Sequence, residues 1–196
     1  MQMKAVFLDK DGTLIEDVPF NVNPHKIKLY PGVGEALAML QAEGYKLIVI
    51  TNQSGIALGY FDEPQIDGVI DTLAQLLQPY GVKLDGFYYC PHHTHGKIEA
   101  YTIECNCRKP KPGMIRQAAL EMGIDLAKSW MVGDILNDVE AGNRAGCNTI
   151  LVDNGNETEW TLGGERMPTY IVDNLKQAVE KIRKHEDVIV PVSALV

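Results

Sequence analysis

The segment Asp9-Lys10-Asp11-Gly12-Thr13 sets two carboxylates one residue apart, directly after the apolar run Ala5-Val6-Phe7-Leu8. A carboxylate can attack phosphorus and form an aspartyl phosphate. A neighbouring carboxyl can protonate the leaving alkoxide and later deprotonate water. An Asp-x-Asp pair alone is commonly a solvated turn. Here it ends a strand-like run, and Gly12 lets the chain turn sharply. Two anions facing a phosphate need a cation, and oxygen ligands favour Mg²⁺. Asp134 and Asp138, in Gly133-Asp134-Ile135-Leu136-Asn137-Asp138, are candidates to complete that site. The alternative for both is the first turn of a helix, where acids are stabilised by the macrodipole.

Two further segments carry groups suited to an anion. Thr51-Asn52-Gln53-Ser54-Gly55 offers a hydroxyl and loop amides to phosphoryl oxygens; the alternative is a helix cap. In Arg108-Lys109-Pro110-Lys111-Pro112, Lys109 can neutralise charge on a phosphoryl group in transfer, and Arg108 suits bidentate phosphate binding. The alternative there is a basic surface loop.

Cys90, His92, Cys105 and Cys107 follow the spacing Cys-x-His-x12-Cys-x-Cys. Three thiolates and an imidazole make a closed tetrahedral Zn²⁺ set with no open position, hence a structural site. The surrounding loop is polar and lacks regular apolar spacing, which argues against cysteines scattered in a core. His93 and His95 remain alternatives to His92. Cys147, just before an apolar run, is expected to be a small buried hydrophobe.

Positioning these groups requires strands that end beside them. Strand-like runs occur at 5–8, 46–50, 86–89, 130–132, 149–152 and 170–172. Amphipathic stretches at 34–43, 63–80, 112–122, 137–145 and 174–185 alternate with them. Short apolar strands alternating with helices predict an α/β, doubly wound, parallel sheet. In such sheets reactive groups gather beyond the carboxyl ends of the strands. Asp9, Thr51, Cys90 and Asp134 all lie there.

The chain of 196 residues suits a single domain over 1–186, with an apolar C-terminal tail at 187–196. No apolar run approaches the roughly 20 residues needed to cross a bilayer. The N-terminus lacks the layout of a signal peptide, so a cytoplasmic protein is expected. A net charge of −8 argues against a nucleic-acid partner.

Residues 4–153 resemble the haloacid dehalogenase superfamily of phosphatases, whose ordered motifs match Asp9-Lys10-Asp11-Gly12-Thr13, Thr51-Asn52, Lys109, and Gly133-Asp134 with Asp138. The resemblance implies Asp9 as nucleophile and Asp11 as general acid/base, with Thr51 and Lys109 orienting and neutralising the phosphoryl group. It implies Mg²⁺ held by Asp9, the backbone carbonyl of Asp11 and Asp134, with Asp138 supporting them. The zinc loop leading into Arg-Lys-Pro is similar to the capless branch that holds heptose 1,7-bisphosphate phosphatases and histidinol-phosphate phosphatases. That branch implies a phosphorylated sugar that loses its C7 phosphate, or histidinol phosphate as the alternative. It also implies substrate contacts from the loop that holds Asp17 and Phe20, beside those expected of Asn52, Gln53, Ser54 and Arg108 from their own chemistry. Many of the heptose enzymes carry Lys after the metal-binding Asp, where this chain has Ile135. A monomer is expected.

Overall fold

The structure is a computed structural model that describes residues 3–189, with side chains described to residue 185. Six strands form one parallel sheet in the order β3-β2-β1-β4-β5-β6. Their ranges are β1 Ala5–Leu8, β2 Lys46–Asn52, β3 Gly86–Cys90, β4 Trp130–Gly133, β5 Asn148–Val152 and β6 Tyr170–Val172. Successive side chains on a strand face opposite sides, and here both sides are covered. Val6, Leu8, Leu47 and Val49 enter one core with Leu37, Leu40, Leu73 and Ile182. Ala5, Phe7, Ile48 and Ile50 enter another with Met114, Ile115 and Ala118. This double burial is why the strands read as unbroken apolar runs rather than alternating ones.

The helices are α1 Val33–Ala42, α2 Gly55–Leu58, α3 Gln65–Leu77, α4 Gly113–Met122, α5 Leu136–Ala145 and α6 Leu175–Ile189. In α3, Ile66, Val69, Leu73 and Leu77 are buried at helical spacing. The short α2 is absent from the sequence-based expectation: four residues are too few to show a period. α6 continues to Ile189, beyond the boundary expected at 186; residues 190–196 of the expected tail lie outside the described residues. No helix among the described residues is long and apolar enough to cross a membrane.

The strand order reverses direction at β1. The chain moves outward through β2 and β3, then returns to the other side of β1 with β4. The carboxyl ends of β1 and β4 thus flank the crevice where such sheets bind ligands. Asp9 leaves β1 with its N–H still donating to the Val132 carbonyl at 2.9 Å. Gly133 and Asp134 leave β4 alongside.

Candidate active site

The turn after β1 brings the first two carboxylates to the crevice. Leu14 and Ile15 donate their N–H groups to the Lys10 carbonyl, and Gly12 donates to that of Ile15, closing a compact loop. Gly12 has φ +81° and a Cβ there would stand 1.9 Å from Asp134 Oδ2. Only glycine meets both conditions. At the end of β4, a Cβ on Gly133 would stand 2.3 Å from the Asp138 side chain, so this turn and α5 approach at backbone distance.

Lys109 is 3% exposed and delivers its ammonium between the acids. Nζ lies 2.6 Å from Asp9 Oδ1 and 2.6 Å from Asp138 Oδ1, and donates to the Ile50 carbonyl at 3.0 Å. Burial alone would lower its pKa, but the Asp138 and Asp9 carboxylates outweigh burial and raise it. Asn52 fixes the backbone at this point from both sides. Its Nδ2 donates to the Lys109 carbonyl at 3.2 Å, and its Oδ1 accepts the Lys109 N–H at 3.0 Å.

Asp138 is wholly buried and does two things. Oδ1 meets Lys109, while Oδ2 accepts the Ile135 N–H at 3.3 Å at the start of α5. The helix-terminus position expected of Asp138 is therefore present together with the ion pair to Lys109. Asp134 takes no part in capping. Its Oδ1 accepts from Thr13 Oγ1 at 3.2 Å and its Oδ2 from Asn156 Nδ2 at 2.7 Å. Burial, with the Asp9 and Asp138 charges adding to it, pushes its pKa up to about 8. Burial also pushes Asp138 up to about 7, against the Lys109 charge and with that of Asp9.

Asp9, Asp134 and Asp138 can each place an oxygen within 4.8 Å of the others. Crowded, desolvated carboxylates that resist ionisation fit a divalent cation, and an all-oxygen set suits Mg²⁺. The Asp11 carboxylate stands aside: it pairs with buried Lys10 at 2.8 Å and accepts from Gln53 Nε2 at 3.2 Å. Burial raises its pKa, with Asp9 adding and Lys10 opposing. Gln53 Nε2 also donates to Thr51 Oγ1 at 2.9 Å. Ser54 precedes α2 without a side-chain capping bond, so its hydroxyl is not used as a cap.

These groups line a cavity of about 300 Å³. Asp9, Asp11, Thr51, Lys109 and Asp134 meet there with Asp17, Phe20, Asn52, Gln53, Ser54 and Ile135. Phe20 holds φ +54° and its ring lies 4.6 Å from that of Tyr60. Arg108 does not line this cavity. It sits in the adjoining depression with Thr94, Lys111 and Arg144, and its guanidinium donates to the His92 carbonyl at 3.3 Å.

Cys90, His92, Cys105 and Cys107 converge at the carboxyl end of β3, with ligand atoms all within 4.8 Å. The sulfur–sulfur separations are 3.0, 3.2 and 3.5 Å, and His92 Nδ1 lies 3.3 Å from Cys107 Sγ. None is in a disulfide. His93 and His95 are outside this group. The hydrogen bond with Cys90 pulls the Cys107 thiol down, and the one with Cys107 pushes Cys90 up. A metal would remove that proton competition, and three sulfurs with one imidazole nitrogen fit zinc. Cys147 is separate and buried, and burial pushes its thiol up to about 12.

The sequence reading missed the stretch after β5. Asn154, Asn156 and Glu157 reach Gly12, Asp134 and the start of α5. In sequence Asn154-Gly155-Asn156 carries only the signal of a turn. Lys10, 1% exposed, was also missed as the partner of Asp11.

The HAD-hydrolase-like family profile matches residues 106–178. The D-glycero-β-D-manno-heptose-1,7-bisphosphate 7-phosphatase of Pasteurella multocida is 44% identical over 181 residues, covering 92% of this chain and 97% of that protein. The protein of the same description from Escherichia coli K12 is 38% identical over 183 residues, covering 93% and 95%. The crystal structure of D,D-heptose 1,7-bisphosphate phosphatase from B. bronchiseptica, complexed with magnesium and phosphate, superposes with TM-score 0.80 at 33% identity. It covers 93% of this chain and 99% of its own. With identity of this order along nearly its whole length, the chain belongs to the heptose-1,7-bisphosphate 7-phosphatase family of haloacid dehalogenase-like hydrolases.

Proposed function

We propose that this protein removes the C7 phosphate of D-glycero-β-D-manno-heptose 1,7-bisphosphate, with Asp9 as the nucleophile. The relatives' names support the heptose substrate over histidinol phosphate. The observation that carries the chemistry is the convergence of Asp9, Lys109 and Asp134 in one cavity at the β1/β4 crevice.

An oxygen of Asp9 attacks the C7 phosphorus and the bond from phosphorus to the C7 oxygen breaks. Asp11, whose raised pKa favours a held proton, gives that proton to the departing alkoxide. Water then attacks phosphorus, Asp11 takes its proton, and Asp9 is released with inorganic phosphate. Lys109 holds Asp9 in place and meets the negative charge on the phosphoryl oxygens. Thr51 Oγ1 accepts from Gln53, which leaves its own proton to donate to a phosphoryl oxygen. Mg²⁺ bound by Asp9, the Asp11 carbonyl and Asp134, with Asp138 behind them, would offset the anionic charge of the carboxylates and the phosphate. The magnesium of the B. bronchiseptica structure supports this cation.

Cys90, His92, Cys105 and Cys107 would hold Zn²⁺, which would serve structure by ordering the loop that leads into Arg108 and Lys109. Asp17, Phe20, Asn52, Gln53 and Ser54 contact the substrate from the cavity wall. Arg108 meets a more distant anionic or hydroxyl part of the substrate from the adjoining depression. The chain through the end of α6 acts as one phosphatase domain, as a monomer. Cysteines held outside disulfides suit the reducing cytoplasm.

The test is a panel of both heptose bisphosphate anomers, histidinol phosphate and hexose phosphates. The expected result is the highest kcat/KM for the β-heptose bisphosphate. A tenfold or greater preference for histidinol phosphate would overturn the substrate while leaving the phosphatase chemistry standing.

A further inference from the structure

The loop after β5 reaches both turns that carry the acids. Asn154 Nδ2 donates to the Gly12 carbonyl at 2.5 Å. Asn156 Nδ2 donates to Asp134 Oδ2 at 2.7 Å. Glu157 Oε2 accepts the Leu136 N–H at 2.5 Å, at the start of the helix that carries Asp138. The loop is itself braced. Asn156 N–H donates to Asn154 Oδ1 at 3.2 Å, and Glu159 N–H to Glu157 Oε1 at 2.7 Å. Asn154, Asn156 and Glu157 thus bind the Asp-x-Asp-Gly turn to the Gly-Asp-Ile-Leu turn across the crevice.

Asp134 is the cation-site acid that this loop touches. Each of its oxygens has one donor, Thr13 on Oδ1 and Asn156 on Oδ2. Each oxygen keeps lone-pair capacity for another partner. Groups that hydrogen-bond a metal-binding carboxylate orient it, and their loss typically weakens metal affinity 10- to 100-fold. Thr13 holds Asp134 from within the Asp-x-Asp-Gly-Thr motif. Asn156 holds it from a loop that no motif marks.

We infer that Asn154–Glu157 is a latch for the divalent-cation site, in which Asn156 is a positioning residue that fixes the Asp134 carboxylate and Asn154 fixes the peptide next to the Asp11 carbonyl. The inference rests on the reading that Mg²⁺ binds through Asp9 and Asp134. The role differs from fold maintenance, because Asn156 bonds a side chain whose purpose is the cation.

The experiment titrates Mg²⁺ by calorimetry into zinc-loaded protein dialysed free of Mg²⁺ without chelator, for wild type, Asn156→Ala and Asn156→Ser. The serine variant keeps a polar group of shorter reach and serves if the alanine variant does not fold. The melting temperature is measured without Mg²⁺ and with zinc retained, and kcat is measured as a function of Mg²⁺. Expected is a Kd for Mg²⁺ raised about tenfold or more, an unchanged melting temperature without Mg²⁺, and kcat restored at saturating Mg²⁺. A Kd within twofold of wild type overturns the latch. So does an affinity loss matched by a large fall in the melting temperature without Mg²⁺, which would make the residue merely structural. If wild type itself binds no Mg²⁺, the underlying cation reading fails instead.

Discussion

Lys109 and Asp138 form a 2.6 Å ion pair in which the lysine is 3% exposed and the aspartate is wholly buried. Breaking a buried pair from one side leaves an uncompensated charge, at a cost of roughly 3–5 kcal/mol. Asp9 remains as a second partner for Lys109, which places Asp138→Ala near the low end. At about 2–4 °C per kcal/mol for a chain this long, the melting temperature should drop by roughly 6–12 °C. Scanning calorimetry of the zinc-loaded, magnesium-free protein checks this, and a change under about 2 °C would contradict that cost.

Gly12→Ala should remove nearly all activity while leaving β1 paired. The added methyl would meet Asp134 Oδ2 and Asn156 Nδ2, at 1.9 and 2.6 Å, at a φ of +81°. Backbone conformations of this kind cost a side chain on the order of 1–3 kcal/mol in addition to the clash. Steady-state rates across a Mg²⁺ series would reveal it. Wild-type rates at any Mg²⁺ concentration would contradict the close approach of the two turns.

Glu157 supplies a pH-dependent contribution. Burial alone would raise its pKa from 4.5, but backbone N–H groups led by that of Leu136 outweigh it and lower the pKa. A folded pKa below the unfolded one gives stability that is present above the unfolded pKa and lost as pH falls through the folded one. Glu157→Gln should therefore cost about 1 kcal/mol at pH 7. The gap to wild type should close as pH drops below the unfolded value of 4.5. Urea unfolding at several pH values decides it: a gap that stays constant down to pH 3 would contradict the charge-based role.

Much of this site was legible in the sequence because each motif sits at a strand end. Asp9, Thr51, Cys90 and Asp134 could be placed on one edge once the apolar runs at 5–8, 46–50, 86–89 and 130–132 were recognised. Those strands survive in the structure with bounds shifted by at most two residues. The post-β5 loop was not legible. Asn156 and Asn154 act on Asp134 and Gly12, which are distant in sequence, and an Asn-Gly-Asn turn has the same composition with or without such partners. The position of Arg108 outside the main cavity was equally hidden. Its neighbour Lys109 turns inward to Asp9 while Arg108 turns to the His92 carbonyl, and adjacent positions in a chain carry no label for direction.

Cys105→Ser should abolish zinc retention and lower both stability and kcat. The ligand lies two residues before Cys107 and close to Lys109, so loss of the metal loosens the segment that aims the ammonium at Asp9. Elemental analysis of protein purified without chelator should give one zinc per wild-type chain and far less for the variant. Less than about half an equivalent in wild type, with reduced thiols, would remove zinc from the proposal. Cys147 is a built-in control: with its thiol pushed up to about 12 by burial, it should resist thiol reagents until the protein unfolds.

In the proposed reaction the Asp9 carboxylate forms the bond to phosphorus. Asp9→Asn is nearly isosteric but replaces the nucleophile with an amide, and it also withdraws one charge from the cation site. The direct measurement is its turnover on the heptose bisphosphate at saturating Mg²⁺, with deamidation excluded by mass spectrometry and folding checked by circular dichroism. A fall on the order of a thousandfold or more with the fold intact is expected. Activity retained above a few per cent of wild type, in protein shown to carry asparagine, would contradict the assignment of Asp9 as nucleophile.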